Sequence, residues 1–156
     1  MNPRAFQAPA RSVREPQFCT LRVGELLIGV DIRRVDEINR HLDVTPVPLA
    51  PKCVRGVINL RGEVVTVVDL RTVLGLAPNA PASGTHNVVV HWRGEQIGLV
   101  ADGIGDVLTI RSDAVDRLPA NFPPATARFF QGVFRLPTEL LLVLDVDAAL
   151  DGADTR

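Results

Sequence analysis

The chain has 156 residues and a mass of 16.9 kDa, with 46% hydrophobic and 22% charged residues, which suits one folded domain or two small modules sharing a core. Seventeen Lys and Arg against eighteen Asp and Glu give a net charge of −1, so no basic surplus exists for a global grip on nucleic acid. No apolar run approaches the ~20 residues of a membrane span, no apolar core follows the N-terminal arginines, and two cysteines make no disulfide scaffold, so direct membrane insertion is not expected and a cytoplasmic location is.

Residues 1–16 are rich in Pro, Ala and Arg without periodicity and read as a mobile tail. From Phe18 onward the pattern is mostly β. Residues 18–23 and 26–32 flank Gly24-Glu25 and form a predicted hairpin. A second is expected from 54–60 and 64–70 around Arg61-Gly62-Glu63, where Gly62 can supply a positive φ. The third pairs 87–92 with 96–100 around Arg93-Gly94-Glu95, and the fourth pairs 133–136 with 140–146 around Pro137-Thr138-Glu139. Short helical turns are expected at 70–76 and 146–150, capped by Asp69 and Asp145. Pro46, Pro48 and Pro51 place 46–51 in a loop, residues 77–86 read as a connector, and 152–156 as a frayed end.

The second and fourth hairpins match without a gap at an offset of 76 residues. Over residues 56–74 there are seven identities in nineteen positions, among them Gly56/Gly132, Asp69/Asp145 and Leu74/Leu150. Chance composition would give roughly one or two. The first and third hairpins correspond more weakly at an offset of 69, with Ile28-Gly29-Val30 over Ile97-Gly98-Leu99 and Glu37 over Asp106. Hairpin, loop, hairpin and short helix, repeated once, fit two small pseudo-symmetric antiparallel barrels.

Equipment for bond-making chemistry is not evident. His41, His86 and His91 lack metal-ligand spacing, and no C-x-x-C surrounds Cys19 or Cys53. Gly103-Ile104-Gly105 begins like a dinucleotide loop, but Leu108 stands at the third Gly position. Asp31, Asp69, Asp102, Asp106 and Asp145 fall at strand ends and caps, where carboxylates serve structure. No catalytic residue, cofactor or metal is assigned, and a binding protein is favoured over an enzyme.

Residues 54–71, VRGVINLRGEVVTVVDLR, closely resemble the central motif of the CheW-like family of chemotaxis coupling proteins. Residues 24–38 (GELLIGVDIRRVDEI) resemble its first hairpin, 97–108 (IGLVADGIGDVL) its later strand and turn, and 132–150 its closing hairpin and helix. The resemblance implies an all-β fold of two five-stranded SH3-like antiparallel barrels with short helices and a pseudo-twofold repeat, over residues 17–151. The first barrel would cover about 17–84 and the second about 85–151, exchange of terminal segments between them being open. It also implies a non-enzymatic, cytoplasmic adaptor recruited to membrane receptor arrays. Its partners would be the cytoplasmic tip of a methyl-accepting chemoreceptor, docked between the barrels, and the regulatory domain of a CheA-type histidine kinase. By the same resemblance Val35, Gly56 and Arg61 fall at receptor-binding positions, with Arg55, Asn59 and Glu37 near them. Val35 would offer apolar area, Gly56 a close backbone approach, and Arg61 a turn-tip guanidinium with several donors. The kinase-facing surface would be an apolar patch on the first barrel. Thr66 departs from the Pro common in the family, and the Pro137-Thr138-Glu139 turn replaces a commoner Gly-containing turn. The alternatives are a CheW-like domain of a kinase or CheV-type scaffold, or an SH3-like barrel with another ligand such as nucleic acid; 4% aromatic residues weigh against the last.

Overall fold

The structure is a computed structural model and describes residues 15–40, 43–76 and 86–154. Most of the expected tail and connector, and His41, therefore lie outside the described residues. Eleven strands run β1 (Gln17–Val23), β2 (Leu26–Asp31), β3 (Val35–Asn39), β4 (Val54–Leu60), β5 (Glu63–Asp69), β6 (His86–Trp92), β7 (Glu95–Ala101), β8 (Gly103–Thr109), β9 (Val115–Asp116), β10 (Phe130–Arg135) and β11 (Leu140–Leu144). Three short helices accompany them: α1 (Leu70–Val73), α2 (Pro124–Ala127) and α3 (Val146–Asp154). The protein is mostly β with few short helices, as the residue pattern indicated.

The strands form two sheets, ordered β8-β1-β2-β11-β10-β9 and β3-β6-β7-β5-β4. Neither sheet is built from one contiguous half of the chain. The first hairpin lies with residues 103–144, and the third hairpin lies with residues 35–69. Each transplanted hairpin joins its host by one parallel ladder, Ile28 opposite Leu142 and Val68 opposite Leu99, so the sheets are mixed rather than purely antiparallel. The repeat found in the sequence maps one sheet onto the other. Moving β1 and β2 by 69 residues gives the starts of β6 and β7, and moving β4 and β5 by 76 gives β10 and the turn into β11. Applied to all five repeated strands, this turns the order β8-β1-β2-β11-β10 into β3-β6-β7-β5-β4.

Alternation along the strands explains why the central ones read as nearly unbroken apolar runs. In β11, Leu141 and Val143 pack with Phe18 and Ile110 in a cluster of the first sheet, whereas Leu142 and Leu144 face the large shared core. In β5, Val65 and Val67 join Ile58 and Val100 in the second sheet's own cluster, whereas Val68 faces the shared core. That shared core draws Leu21, Ile28 and Leu142 from one sheet, Leu99 from the other, and Leu70 and Leu74 from helix α1 and its C-cap. Each such side chain, fully buried, contributes about 1.5–3 kcal/mol.

Turn and cap chemistry fix the local geometry. Arg61-Gly62 and Arg93-Gly94 are two-residue turns with φ of 52° and 88°, and 52° and 79°. Positive φ at both central residues matches the twist of the flanking strands. Glu63 and Glu95, expected in the turns, are the first residues of β5 and β7. Asp69 Oδ1 accepts from the Arg71 amide at 2.9 Å and Asp145 Oδ1 from the Ala148 amide at 3.0 Å, so both predicted caps are present. Helix α3 continues to Asp154, past the expected fraying point, with Arg34 and Arg93 paired to Asp147 and Asp151 on its outer side. Pro16, expected in the tail, already accepts the Ile110 amide at 2.9 Å. The Gly103–Gly105 stretch is extended β8, not a phosphate-cradling turn.

Candidate functional site

The residues singled out in the sequence converge on the edges of the second sheet. Strands β3 and β4 are its two outer strands, with three strands between them. Even so, Arg61 Nη2 at the β4–β5 turn pairs with Glu37 Oε1 on β3 at 2.5 Å. The sheet therefore curls until its edges face one another. Asn39 donates from Nδ2 to Glu37 Oε2 at 2.9 Å, completing a three-residue link across the gap. These two bonds, Asn39 first and Arg61 second, hold the Glu37 carboxyl below the usual range. The Arg61 side chain is 71% exposed and spends one nitrogen on Glu37, so further donors of the guanidinium face solvent.

The remaining candidates lie on the two outer strands, Val35 on β3 and Arg55, Gly56 and Asn59 on β4. Asn59 Oδ1 accepts from the Gly62 amide at 2.9 Å and fixes the turn that carries Arg61. With Asn39, Val44, Thr45 and Ile58 it also lines a cavity of about 490 Å³. Arg55 reaches Asp69 Oδ2 at 3.3 Å, away from the Glu37 link. Val35 opens β3 opposite Val90 and packs, half-buried, against the shared core. Only part of it is available to a visitor.

Gly56 stands apart. Its φ is 147°, in a region that side chains rarely adopt, at an irregularity of the β4–β5 ladder. A Cβ there would fall 2.2 Å from the Thr45 carbonyl oxygen. Thr45 exchanges two backbone bonds with Val57, at 2.8 and 2.9 Å. The close approach that Gly56 permits is thus to the chain's own residues 44–45. Gly132, its repeat partner, does the same for β9, where a Cβ would meet the Asp116 carbonyl oxygen at 2.6 Å.

The repeat is not symmetric in its chemistry. The positions equivalent to Glu37 and Arg61 are Asp106 and Pro137, which cannot form the same pair. Instead Thr20 donates its hydroxyl to the Asp106 carbonyl at 2.7 Å, and Arg22 pairs bidentately with Glu139 at 2.8 and 3.1 Å. Among the described residues, the edge-to-edge link with an exposed guanidinium is found in the second sheet.

Residue-by-residue reading missed the exposed apolar side chains. Ile38 and Val64 on the second sheet are 41% and 76% exposed, and Val107 and Leu140 on the first are 47% and 39% exposed. These are repeat partners, Ile38 with Val107 and Val64 with Leu140, so the two offsets could have found them. Val47 and a fully exposed Leu49 with φ of 64° add apolar area on the β3–β4 connection. Among the described residues no group of His, Cys, Asp or Glu could hold a metal ion, and His91 is engaged with Asp36 at 2.9 Å. No helix is long and apolar enough to cross a membrane.

The family profile of the CheW-like domain matches residues 17–154. The "Chemotaxis protein CheW" of Treponema pallidum is 32% identical over 134 residues, covering 83% of this chain and 79% of its own. The "Probable chemotaxis protein CheW" of Rhizobium etli is 27% identical over 140 residues, 90% of either chain. Among solved structures, the "scaffolding protein TtCheW from Thermoanaerobacter tengcongensis" superposes with a TM-score of 0.77 at 22% identity, covering 86% of this chain and 92% of that one, which supports the fold.

Proposed function

The chain belongs to the CheW-like domain family, and on that premise we propose that it is a chemotaxis coupling adaptor working through two separate surfaces. One surface takes the helical tip of a chemoreceptor; the other takes the regulatory domain of a CheA-type histidine kinase. The curled sheets act as SH3-like barrels that present these surfaces and carry out no bond-making. The match over nearly all of the described chain carries the reading.

The exposed guanidinium of Arg61 supports a receptor-binding role. Its partner Glu37 and the Asn59-capped turn hold it in place, so little side-chain freedom is lost on docking, and its free donors suit helix carboxylates or carbonyls. Val35 adds half-buried apolar area on the same strand as Glu37. Gly56 contributes indirectly, by seating residues 44–45 beside the site. For the kinase, the exposed apolar side chains Ile38 and Val64 on the second sheet and their repeat partners Val107 and Leu140 on the first offer area that a domain of similar duplicated fold could cover.

The test is binding of a receptor signalling-tip fragment to Arg61→Glu, with circular dichroism as a folding check. A drop of tenfold or more is expected. The charge-swapped double variant Arg61→Glu with Glu37→Arg restores the internal pair but not receptor binding. Undiminished binding by folded Arg61→Glu overturns the assignment.

A further inference from the structure

Residues 51–53, α1, the Arg128–Phe129 bend and the end of α3 enclose a cleft of about 400 Å³ that shares no lining residue with the Glu37–Arg61 link. Its walls are apolar at Val73, Phe129 and Ala153. A second cavity of about 180 Å³ shares Pro51, Cys53 and Ala153 with it and is lined further by Trp92. Both charged side chains lining the main cleft are cations, Lys52 and Arg128, and neither has an ion-pair partner among the described residues. By contrast, eight arginines from Arg22 to Arg111 each hold a carboxylate. Lys52 is also the chain's single lysine. The Arg128 guanidinium is laid over the Phe129 ring at 4.6 Å, which sets it against the cleft wall. At the floor the Cys53 thiol lies 3.6 Å from the Ala153 carbonyl, and burial pushes its pKa up, so it adds no negative charge. Glu95, a carboxylate, lines the second cavity and not the main cleft, and stands opposite Trp92 in the β6–β7 ladder.

An apolar cleft of this size with exposed cationic side chains, Lys52 and Arg128, in its lining has the make-up of a small-molecule site. Two cations without a carboxylate partner in that lining favour an anion. We propose that the cleft binds a small amphipathic carboxylate, its head between Lys52 and Arg128 and its apolar tail along Val73, Phe129 and Ala153 toward Trp92. This inference stands independently of the adaptor role.

Decanoate and decan-1-ol are suitable probes, followed by calorimetry and by the fluorescence of Trp92, the only tryptophan. Decanoate should bind saturably at one site, at least tenfold more tightly than the alcohol. It should slow acylation of Lys52, mapped by mass spectrometry, but not that of the N-terminal amine. The double variant Lys52→Glu with Arg128→Glu should lose at least tenfold in decanoate affinity. Thr72→Trp, at an exposed position on the cleft, should block binding while circular dichroism shows a folded protein. Equal affinity for acid and alcohol, no protection of Lys52, unchanged binding in either variant, or no saturable binding would each overturn the proposal.

Discussion

Replacing Gly56 by alanine puts a Cβ 2.2 Å from the Thr45 carbonyl oxygen and 2.8 Å from its carbon, closer than any real contact. Backbone must move, because the obstructing atoms belong to the main chain. Two costs combine. Holding a non-glycine residue at φ of 147° costs about 1–3 kcal/mol. Separating Thr45 from Val57 breaks two backbone hydrogen bonds, each with a net value of about 1 kcal/mol. The sum, about 3–5 kcal/mol, is a large share of the 5–15 kcal/mol that stabilises a typical domain. In urea titrations followed by Trp92 fluorescence the midpoint should fall steeply, and the melting temperature should drop on the order of 10 °C. Two further variants separate the causes. Gly62→Ala has φ of 88° but open space around it, so it should lose only about 1 kcal/mol. Gly132→Ala has the carbonyl contact, at 2.6 Å, without a positive φ, and should fall between, near 2 kcal/mol. If Gly56→Ala is no less stable than Gly62→Ala, the close approach of residues 44–45 is not what Gly56 serves.

Other outcomes follow from the same geometry. Gly98→Ala drives a Cβ to 2.4 Å from Asn87 Oδ1, a fully buried atom, and should cost about 2 kcal/mol; adding Asn87→Ala should recover part of that loss, a coupling that a double-mutant cycle in urea would measure. Arg71→Met leaves Asp102 with the Gly24 amide but without its Arg71 bond at 2.8 Å, loosening the β1–β2 turn from β7, and should cost about 2 kcal/mol by chemical denaturation. Glu37 has a folded pKa below its ordinary value near 4.5, so its contribution is present above pH 4.5 and is lost as pH falls through the lower, folded value. Carboxyl NMR titration should show that depressed pKa, and Arg61→Ala should raise it without restoring the ordinary value, since the Asn39 bond remains.

The local half of the fold is legible because turn and cap residues act over two to four positions. Arg61-Gly62 and Arg93-Gly94 announce two hairpins, and Asp69 and Asp145 announce two helix starts. The exchange of hairpins is not legible in this way. It rests on parallel ladders such as Ile28 with Leu142, whose partners have no turn between them to betray the pairing. Strands β3 and β8 are obscured because Asp36, Glu37, Gly105 and Asp106 break the apolar pattern, as befits outer strands with one hydrogen-bonding side open. Helix α2 hides in 119–131 behind Pro123 and Pro124, the latter at the first helical position where its missing donor costs nothing. For the site, the resemblance placed Glu37 and Arg61 near one another but gave no reason for it. The reason is the curl of a five-stranded sheet, a property of the whole and not of either residue. Gly56 shows the opposite: an individual residue whose backbone need is strong, yet directed at its own chain.

The most direct measurement of the adaptor claim is kinase autophosphorylation in membranes containing a chemoreceptor and a CheA-type kinase, with and without this protein. Receptor ligand should change the rate only when the protein is present, and Arg61→Glu should abolish that control while leaving the kinase's basal rate intact. Ligand control that is just as strong without the protein would contradict the account.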